Sequence, residues 1–529
     1  MFDILITGAL VADGTGRELF RADAAIMGGR IARIGTGLGE AARAIDGTGK
    51  VLCPGFIDMH THMDLELLRD RKPDAKIRQG VTTDLLGQDG LGAAPVSPAN
   101  RKLLSDILSG LNGVLEDEQW TWGSFGEYLD ALEGCGLPNN AAVLLSQGPV
   151  RIEAMGMDER PATARELDVQ RSLIREAMEE GAFGLSSGLI YPPCPYAGME
   201  ELADLNREVA AFDGIFVVHQ RDEGYHLSRS FDEICEISRR SGVRLHVSHL
   251  QAYGRVNWPI MDEVLAKADA FLKEGGSVTW DRYPYLAGCT TLTAVLPTWT
   301  FNEGTEALIA NLTDPAYRKR IHEEFGKGLD MWHNRQISVG WENIIVTAVH
   351  CERNRWMEGL SCRAIADRQG KNPVDAVCDL LAEEKLAVTM ISFYGSEDVL
   401  RKVLSHPCAT VGSDGIYGGR PHPRLYGSFP RFLRQYVRES RTFTLEEAVR
   451  KITSFPAKVL GLRDRGTVEE GKWADLVLFD PETVGDRATY EEPELYPEGI
   501  RSVLVNGVEV AGAGGTTGKL PGRVLRKGR

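Results

Sequence analysis

The chain has 529 residues, 43% of them hydrophobic, with 60 Lys and Arg against 75 Asp and Glu for a formal net charge of -15. That acidic balance speaks against a nucleic-acid or anionic-membrane surface, the length suits one large domain with additions or three ordinary ones, and no stretch reaches the roughly 18 apolar residues of a membrane span. Its nine cysteines are scattered with no CxxC pair, and the N-terminus lacks a basic region followed by an apolar run, so a cytoplasmic protein is expected.

Residues 3–52 read as short strands, "FDILITGALVAD", "ADAAIMGGRIARIG" and "AIDGTGKVLCPG", separated by glycine turns. "GKWADLVLFD" (471–480) and "IRSVLVNGVEVAG" (500–512) repeat that pattern at the other end. Chain termini often lie close together, so segments 1–54 and 467–529 are expected to build one small β-sandwich domain.

Between them the period changes. "GVTTDLLGQDG", "NNAAVLLSQG", "GAFGLSSGLIY", "GIFVVHQRDEG", "GVRLHVSHL", "GSVTWDRYPY", "LAVTMISFYG" and "PCATVGSDG" are short apolar runs, many separated by helical stretches such as "RSLIREAMEE" and "FDEICEISRRS". Strands alternating with helices over about eight units predict an α/β fold, a (β/α)8 barrel. Residues 288–347 interrupt the ladder with a helical pattern of their own, which predicts an inserted lid subdomain between barrel segments 55–287 and 348–466.

The chemistry-bearing residues fall where these strands end. "FIDMHTH" closes with His60 and His62 on one face, "IFVVH" with His219, "LHVSHL" with His246 and His249, and "ATVGSDG" with Asp414, while "GQDG" carries Asp89. In a barrel, strand ends converge on one site, so these donors suffice for one or two Zn²⁺-like ions. Each alone has an ordinary reading: HxH as a polar pair closing a strand, a single histidine as a hydrogen-bonded residue, Asp before Gly as turn chemistry. Their joint occurrence at successive strand ends favours the metal. Ser186 and Ser187 of "GLSSG" lack the strand-to-helix elbow of a serine nucleophile.

The ordered set "PGFIDMHTHMD", "KIRQGVTTDLLGQDG", "GAFGLSSGLIYPP", "HQRDEG", "VSHL", "DRYPYLAG", "VGSDG", "HPRLYGSFPRFL" and "KITSFPAKVLGLRDRGTVEEGKWADLVLFDP" resembles the amidohydrolase superfamily, and within it the D-aminoacylase family of N-acyl-D-amino-acid deacylases. The resemblance implies a metal-bearing barrel that hydrolyses the amide of an N-acyl-D-amino acid. It implies that His60, His62 and Asp414 serve one metal position and His219 and His249 the other, with Tyr283 and Arg424 holding the substrate carboxylate. A phenol and a guanidinium suit that task.

Three departures stand out. The family's "GNCG", with a metal-ligand cysteine, is "GQDG" here, so Asp89 takes the ligand position, where a carboxylate can bridge two ions but is harder than a thiolate. The family's "SHHK" is "SHLQ", which puts neutral Gln251 where a lysine would meet the substrate. Around "LSQGPVR" the usual Gly-His is missing, and neither Gln147 nor Arg151 has an assigned role.

These readings predict metal-dependent hydrolysis of a small acylated amine, with Zn²⁺ or another divalent ion, one or two per chain. Asp414 would be the general acid/base and Gln251 a further substrate contact. Two alternatives remain: an amidohydrolase for a cyclic or neutral amide without the free carboxylate, and a non-catalytic small-molecule binder on a hydrolase scaffold. Asp58 either orients the histidines or caps its strand, Arg221 and Glu223 either pair with each other or shape the pocket, and Trp299, Trp332 and Trp356 either line an acyl pocket or serve packing. No nucleic-acid or membrane partner is expected, and a homo-oligomer is left open.

Overall fold

A computed structural model describes residues 1–69, 74–109, 111–113, 115–301, 303–328, 335–417 and 419–528. Its centre is a closed ring of eight strand segments. They are Phe56–Asp58 (continued by Thr61–His62), Val81–Leu86, Asn140–Val143 (continued by Leu145–Ser146), Gly184–Gly188, Ile215–His219, Arg244–Val247, Val278–Trp280 and the stretch from Ala409 to Gly415–Ile416. Neighbours run parallel throughout. Closure comes from a parallel bridge between Trp280 and Ala409 and from the pairing of Gly415–Ile416 with Thr61–His62, so the last strand meets the first. The strands are buried on both faces, as expected of a parallel sheet covered by helices.

The helices between the strands are set by local signals. Ala164–Glu180 begins with Thr163 and Glu166 in a reciprocal capping box and ends at left-handed Gly181, and Leu227–Ser241 ends the same way at Gly242. Ile174, Ala177 and Met178 of the first, and Phe231, Ile234 and Ile237 of the second, bury their side chains in the barrel's outer core.

Both termini contribute to one nine-stranded sheet, in which Val51–Pro54 pairs antiparallel with Leu476–Phe479 and joins the N-terminal strands to the C-terminal ones. The sheet folds over on itself: Ile31 donates to the Lys472 carbonyl and Ala474 to that of Gly29, enclosing Ile6, Val11, Ile26, Ile31, Leu476 and Leu504. The chain then returns to the barrel, where Val524–Leu525 pairs parallel with Asn140–Val143.

The inserted unit is larger than its sequence pattern suggested. Ala287–Thr291, Ile344–Ala348 and Thr389–Phe393 form a separate antiparallel sheet with Thr389–Phe393 in the middle. The run "LAVTMISFYG" is thus not a barrel strand, and the insertion's own core, from Leu292 to Met390, continues past residue 347. A short apolar run reads alike in either setting; only pairing partners distinguish them.

Candidate metal centre

Six side chains converge at the carboxyl ends of the barrel strands: His60, His62, Asp89, His219, His249 and Asp414, all of them buried. They form three sets of ligand atoms close enough to share an ion, namely His60, His62 and Asp89; Asp89, His219 and His249; and His60, His249 and Asp414. Two of these sets keep His60 and His62 apart from His219 and His249 and have Asp89 in common, while Asp414, expected beside His60 and His62, is grouped with His60 and His249.

The backbone is unusual at three of these positions. Asp89, His249 and Asp414 have φ of 56°, 34° and 50°, a left-handed region that non-glycine residues seldom occupy and that recurs where geometry serves function. The Asp89 loop is wedged into place. Gly87 has φ 75°, and a Cβ there would collide with the Leu144 carbonyl; a Cβ at Gly188 would strike the Asp89 carbonyl. Ser186, far from acting as a nucleophile, braces this loop by bonding the Gly87 carbonyl and accepting from Gly90 N at 3.1 Å.

The separations fit a cation better than direct hydrogen bonds. Asp414 Oδ1 lies 3.4 Å from His62 Nε2 and 3.7 Å from His60 Nε2, and Asp89 Oδ2 lies 3.6 Å from His219 Nδ1. N–H···O bonds prefer about 2.7–3.2 Å, whereas two donors each about 2.1 Å from one tetrahedral ion stand about 3.4 Å apart. Neither ring nitrogen of His60 or His219 makes a hydrogen bond, nor does Asp89 Oδ1. The donor set fits one or two divalent ions.

Electrostatics agree. Burial raises the Asp89 pKa, but His60, His219 and His249 outweigh it and hold the carboxyl well below the usual range; burial of Asp414 is likewise outweighed, by Arg424 and His60. His60 loses by burial and gains more from Asp281, Asp414 and Asp89, so its pKa is raised. Both carboxylates are ionised and acceptor-only at neutral pH.

A second ring of groups orients the histidines. Glu223 Oε1 lies 2.9 Å from His249 Nδ1 and its Oε2 3.6 Å from His219 Nε2, the ring nitrogens that turn away from Asp89. Asp281 Oδ2 lies 3.5 Å from His60 Nδ1, while its Oδ1 accepts from His249 N at 3.1 Å. Carboxylates placed behind imidazoles in this way fix tautomer and ring direction. Asp281 was missed in the sequence although "DRYPY" sets it at a strand end by the rule used for the ligands. Glu223 does not pair with Arg221, which instead forks onto Glu233 at 3.0 Å. Asp58 is a strand cap: its Oδ1 accepts from His60 N at 3.1 Å and Ser413 N at 2.8 Å, and Lys76 holds its other oxygen. His246 is a satisfied core histidine, bonded to Thr279 at 2.7 Å and facing Asp281 at 3.2 Å.

Tyr283 donates to Gln251 Oε1 at 3.0 Å, Tyr394 donates to the same oxygen, and Gln251 Nε2 donates to Glu223 Oε2 at 2.8 Å. Arg424 lies behind them, with Nη1 2.9 Å from Asp414 Oδ2 and its guanidinium 4.6 Å from the Tyr283 ring centre. Gln147 accepts from Ser187 and Arg151 pairs with Glu201, both as buried structural contacts. A cavity of about 30 Å³ is lined by His62, Asp89, His219, His249, Asp414 and, opposite, Gln251, Tyr283 and Tyr394. Tyr191, whose hydroxyl is 2.9 Å from Thr290 Oγ1, separates it from a groove of about 820 Å³ walled by Ile190, Met199, Leu296 and Phe301. Trp299 packs on Tyr317 and Trp356 on Arg368, both against the inserted unit's core, so neither lines the cavity or the groove; Trp332 lies outside the described residues.

Comparison with known proteins gives a consistent result. A sequence model described as Amidohydrolase family matches residues 43–511. The chain is 35% identical to a D-aminoacylase of Alcaligenes xylosoxydans xylosoxydans over 99% of its own length and 98% of that protein's, and 33% identical to an N-acyl-D-glutamate deacylase of the same organism, over 99% and 96%. The crystal structure of an N-acyl-D-glutamate deacylase from Bordetella bronchiseptica, complexed with zinc and a phosphonate mimic of the tetrahedral intermediate, superposes with a TM-score of 0.85 at 34% identity over 99% of each chain. Among the described residues no helix is long and apolar enough to cross a membrane.

Proposed function

The chain belongs to the amidohydrolase family, in the group of the D-aminoacylases and N-acyl-D-amino-acid deacylases, and on that premise we propose that it deacylates N-acyl-D-amino acids at the six-residue centre. It is a metal-dependent hydrolase of carbon–nitrogen amide bonds other than peptide bonds. The observation that carries the reading is the set of ionised carboxylates and unbonded imidazole nitrogens spaced as ligands of common ions. His60, His62 and Asp414 would hold one position and His219 and His249 the other, with Asp89 as a further ligand. The ion is Zn²⁺, one or two per chain, with other divalent ions as substitutes.

Divalent ions held there supply Lewis acidity, polarising the scissile carbonyl and acidifying water. Asp414 accepts the proton of the attacking water and returns it to the leaving nitrogen, which departs as an amine only once protonated. Arg424 holds Asp414 Oδ2, leaving Oδ1 turned toward His60 and His62, where that proton is exchanged. Tyr283 and Gln251 meet the polar end of the leaving amino acid, and the Arg424 charge behind the Tyr283 ring favours a carboxylate there. The remainder of the substrate extends past Tyr191 into the groove.

A second reading rests on one observation. Among the described residues no lysine or arginine lines the small cavity, and Gln251 is neutral, which favours a cyclic or neutral amide. Metal content of protein purified without chelator, measured with hydrolysis of paired N-acyl-D- and N-acyl-L-amino acids, decides. Bound metal with D-selective release supports the first reading; bound metal with activity only on neutral or cyclic amides replaces it with the second.

A further inference from the structure

The space at the metal centre is about 30 Å³, and the groove beyond Tyr191 is about 820 Å³. The first admits a water or two, so the acyl group of a bound substrate finds its room outside it. The second falls in the range of about 300–1,000 Å³ that holds an organic ligand of many atoms. Tyr191 is where the two meet: its ring centre stands 5.3 Å from that of His219, and its side chain lines both spaces. The leaving amino acid has Tyr283 and Gln251 for its polar end, which leaves the exit at Tyr191 to the acyl half.

One wall of the groove comes from the barrel, through Leu189, Ile190 and Met199, and the other from the inserted unit, through Ala294, Leu296 and Phe301. Charged residues along it are occupied with one another. Arg221 forks onto Glu233 and donates to the Pro195 and Ala197 carbonyls at 2.7 and 3.0 Å, Asp232 takes Lys267 at 2.6 Å, and Glu236 takes Arg240 at 2.7 Å. What the groove offers a ligand is therefore chiefly hydrocarbon. Tyr191 is latched across the two walls, since its 2.9 Å bond to Thr290 Oγ1 ties a barrel loop to the first strand of the inserted unit.

We infer that this groove is an aliphatic acyl subsite, that the substrates carry an acyl chain of about eight carbons in place of acetyl, and that Tyr191 is the specificity-determining gate between chain and scissile carbonyl. An acetyl methyl leaves the groove to water, whereas each methylene buried there strengthens binding by up to about fourfold. Binding along the chain, remote from the reacting carbonyl, opens the Tyr191–Thr290 latch and seats the amide at the metal centre. The inference rests on the deacylase reading above and adds the class of acyl group and the residue that admits it.

The test compares kcat/KM of the metal-loaded full chain on N-acetyl- and N-octanoyl-D-leucine and on the corresponding D-glutamates. In each pair that is hydrolysed, the octanoyl member is expected to exceed the acetyl member at least about fiftyfold, or roughly twofold for each added methylene. Ala294→Trp, which sets an indole in the groove, should lower that ratio about tenfold or more; Thr298→Trp, at an exposed position on the same groove, repeats the measurement should the first variant not fold. Tyr191→Phe, which releases the latch and keeps the ring, should raise the acetyl substrate more than the octanoyl one. Octanoate alone should bind at least about tenfold tighter than acetate by calorimetry, a difference the indole removes. A ratio near one, a ratio left intact by a folded indole variant, or one unmoved by Tyr191→Phe would each overturn the inference, while D-selective hydrolysis kept the deacylase reading standing. Hydrolysis of neither pair by metal-loaded protein would instead overturn that reading, and the inference with it.

Discussion

Two clusters of buried carboxylates lie within one barrel, and they are built in opposite ways. Beneath the site, Lys76 reaches Asp58, Ser413 Oγ at 2.7 Å and Asp84 at 3.4 Å, while Asn139 donates to Asp84 at 2.7 Å. That cluster carries its own cation and ties the first, second and last strands together. In the site above it, Asp89 and Asp414 face imidazoles at 3.4–3.7 Å, and among the described residues the guanidinium that reaches a candidate ligand, that of Arg424, pairs with Asp414 and also donates to the Cys289 carbonyl. Both clusters are equally buried, so burial alone does not mark function. What differs is whether the positive charge is already supplied by the chain.

The sharpest break of that contrast is at Asp414. Asp414→Asn keeps the shape but removes the carboxylate proposed to take the proton, so turnover at saturating metal is expected to fall about 10²–10⁴-fold. Steady-state kinetics beside metal analysis check this; native turnover in a fully loaded variant would end the proton-transfer role. Removing the cation of the lower cluster should act on the fold instead. Lys76→Met strands Asp58 and Asp84 and is expected to cost about 3–5 kcal/mol of stability, read from the denaturant midpoint. A loss below about 1 kcal/mol, the level of an exposed ion pair, would show that the two clusters do not differ as described.

The upper cluster was legible in the sequence and the lower one was not, for a physical reason. Ligands of a barrel site must come from strand ends, so His60, His62, His219, His249 and Asp414 could be picked by their place after apolar runs, and Asp89 by its place in "GQDG" after one. Lys76 sits in "DAKI", a short helical turn in which a lysine normally points to solvent; only the close approach of the last strand to the first reveals its partners. Of the two alternatives open for Glu223, pairing with Arg221 or shaping the pocket, the second holds, and the partner of Arg221 could not be read from spacing because a helix supplies Glu233. The sheet shared by both termini followed from alternation and turns. The extent of the insertion did not, since Thr389–Phe393 carries a barrel-like pattern and an antiparallel partner.

Smaller effects refine the contrast. Glu223 serves the upper cluster without facing the cavity centre as Asp89 does, so Glu223→Gln should weaken Co²⁺ binding about 10–100-fold, measured by chelator competition, and leave kcat at saturating metal far less changed. Equal losses in affinity and in kcat at saturation would instead place Glu223 among the reacting groups.

The smallest change concerns Asp84, the carboxylate of the lower cluster farthest from its lysine. Burial pushes its pKa up to about 6, with Lys76 opposing and the Asp58 charge adding to the rise. A carboxyl whose pKa is higher in the folded than in the unfolded chain favours folding while it is protonated, and that contribution is lost as pH rises through about 6. Asp84→Asn keeps an acceptor for Asn139 and removes the charge, leaving Lys76 matched by Asp58 alone. Relative to the native protein, the variant should therefore gain about 1–3 kcal/mol between pH 4.5 and pH 7.5, followed as the difference in denaturation free energy. A gain of the opposite sign would mean that Lys76 compensates Asp84 fully, and that the lower cluster needs both of its carboxylates.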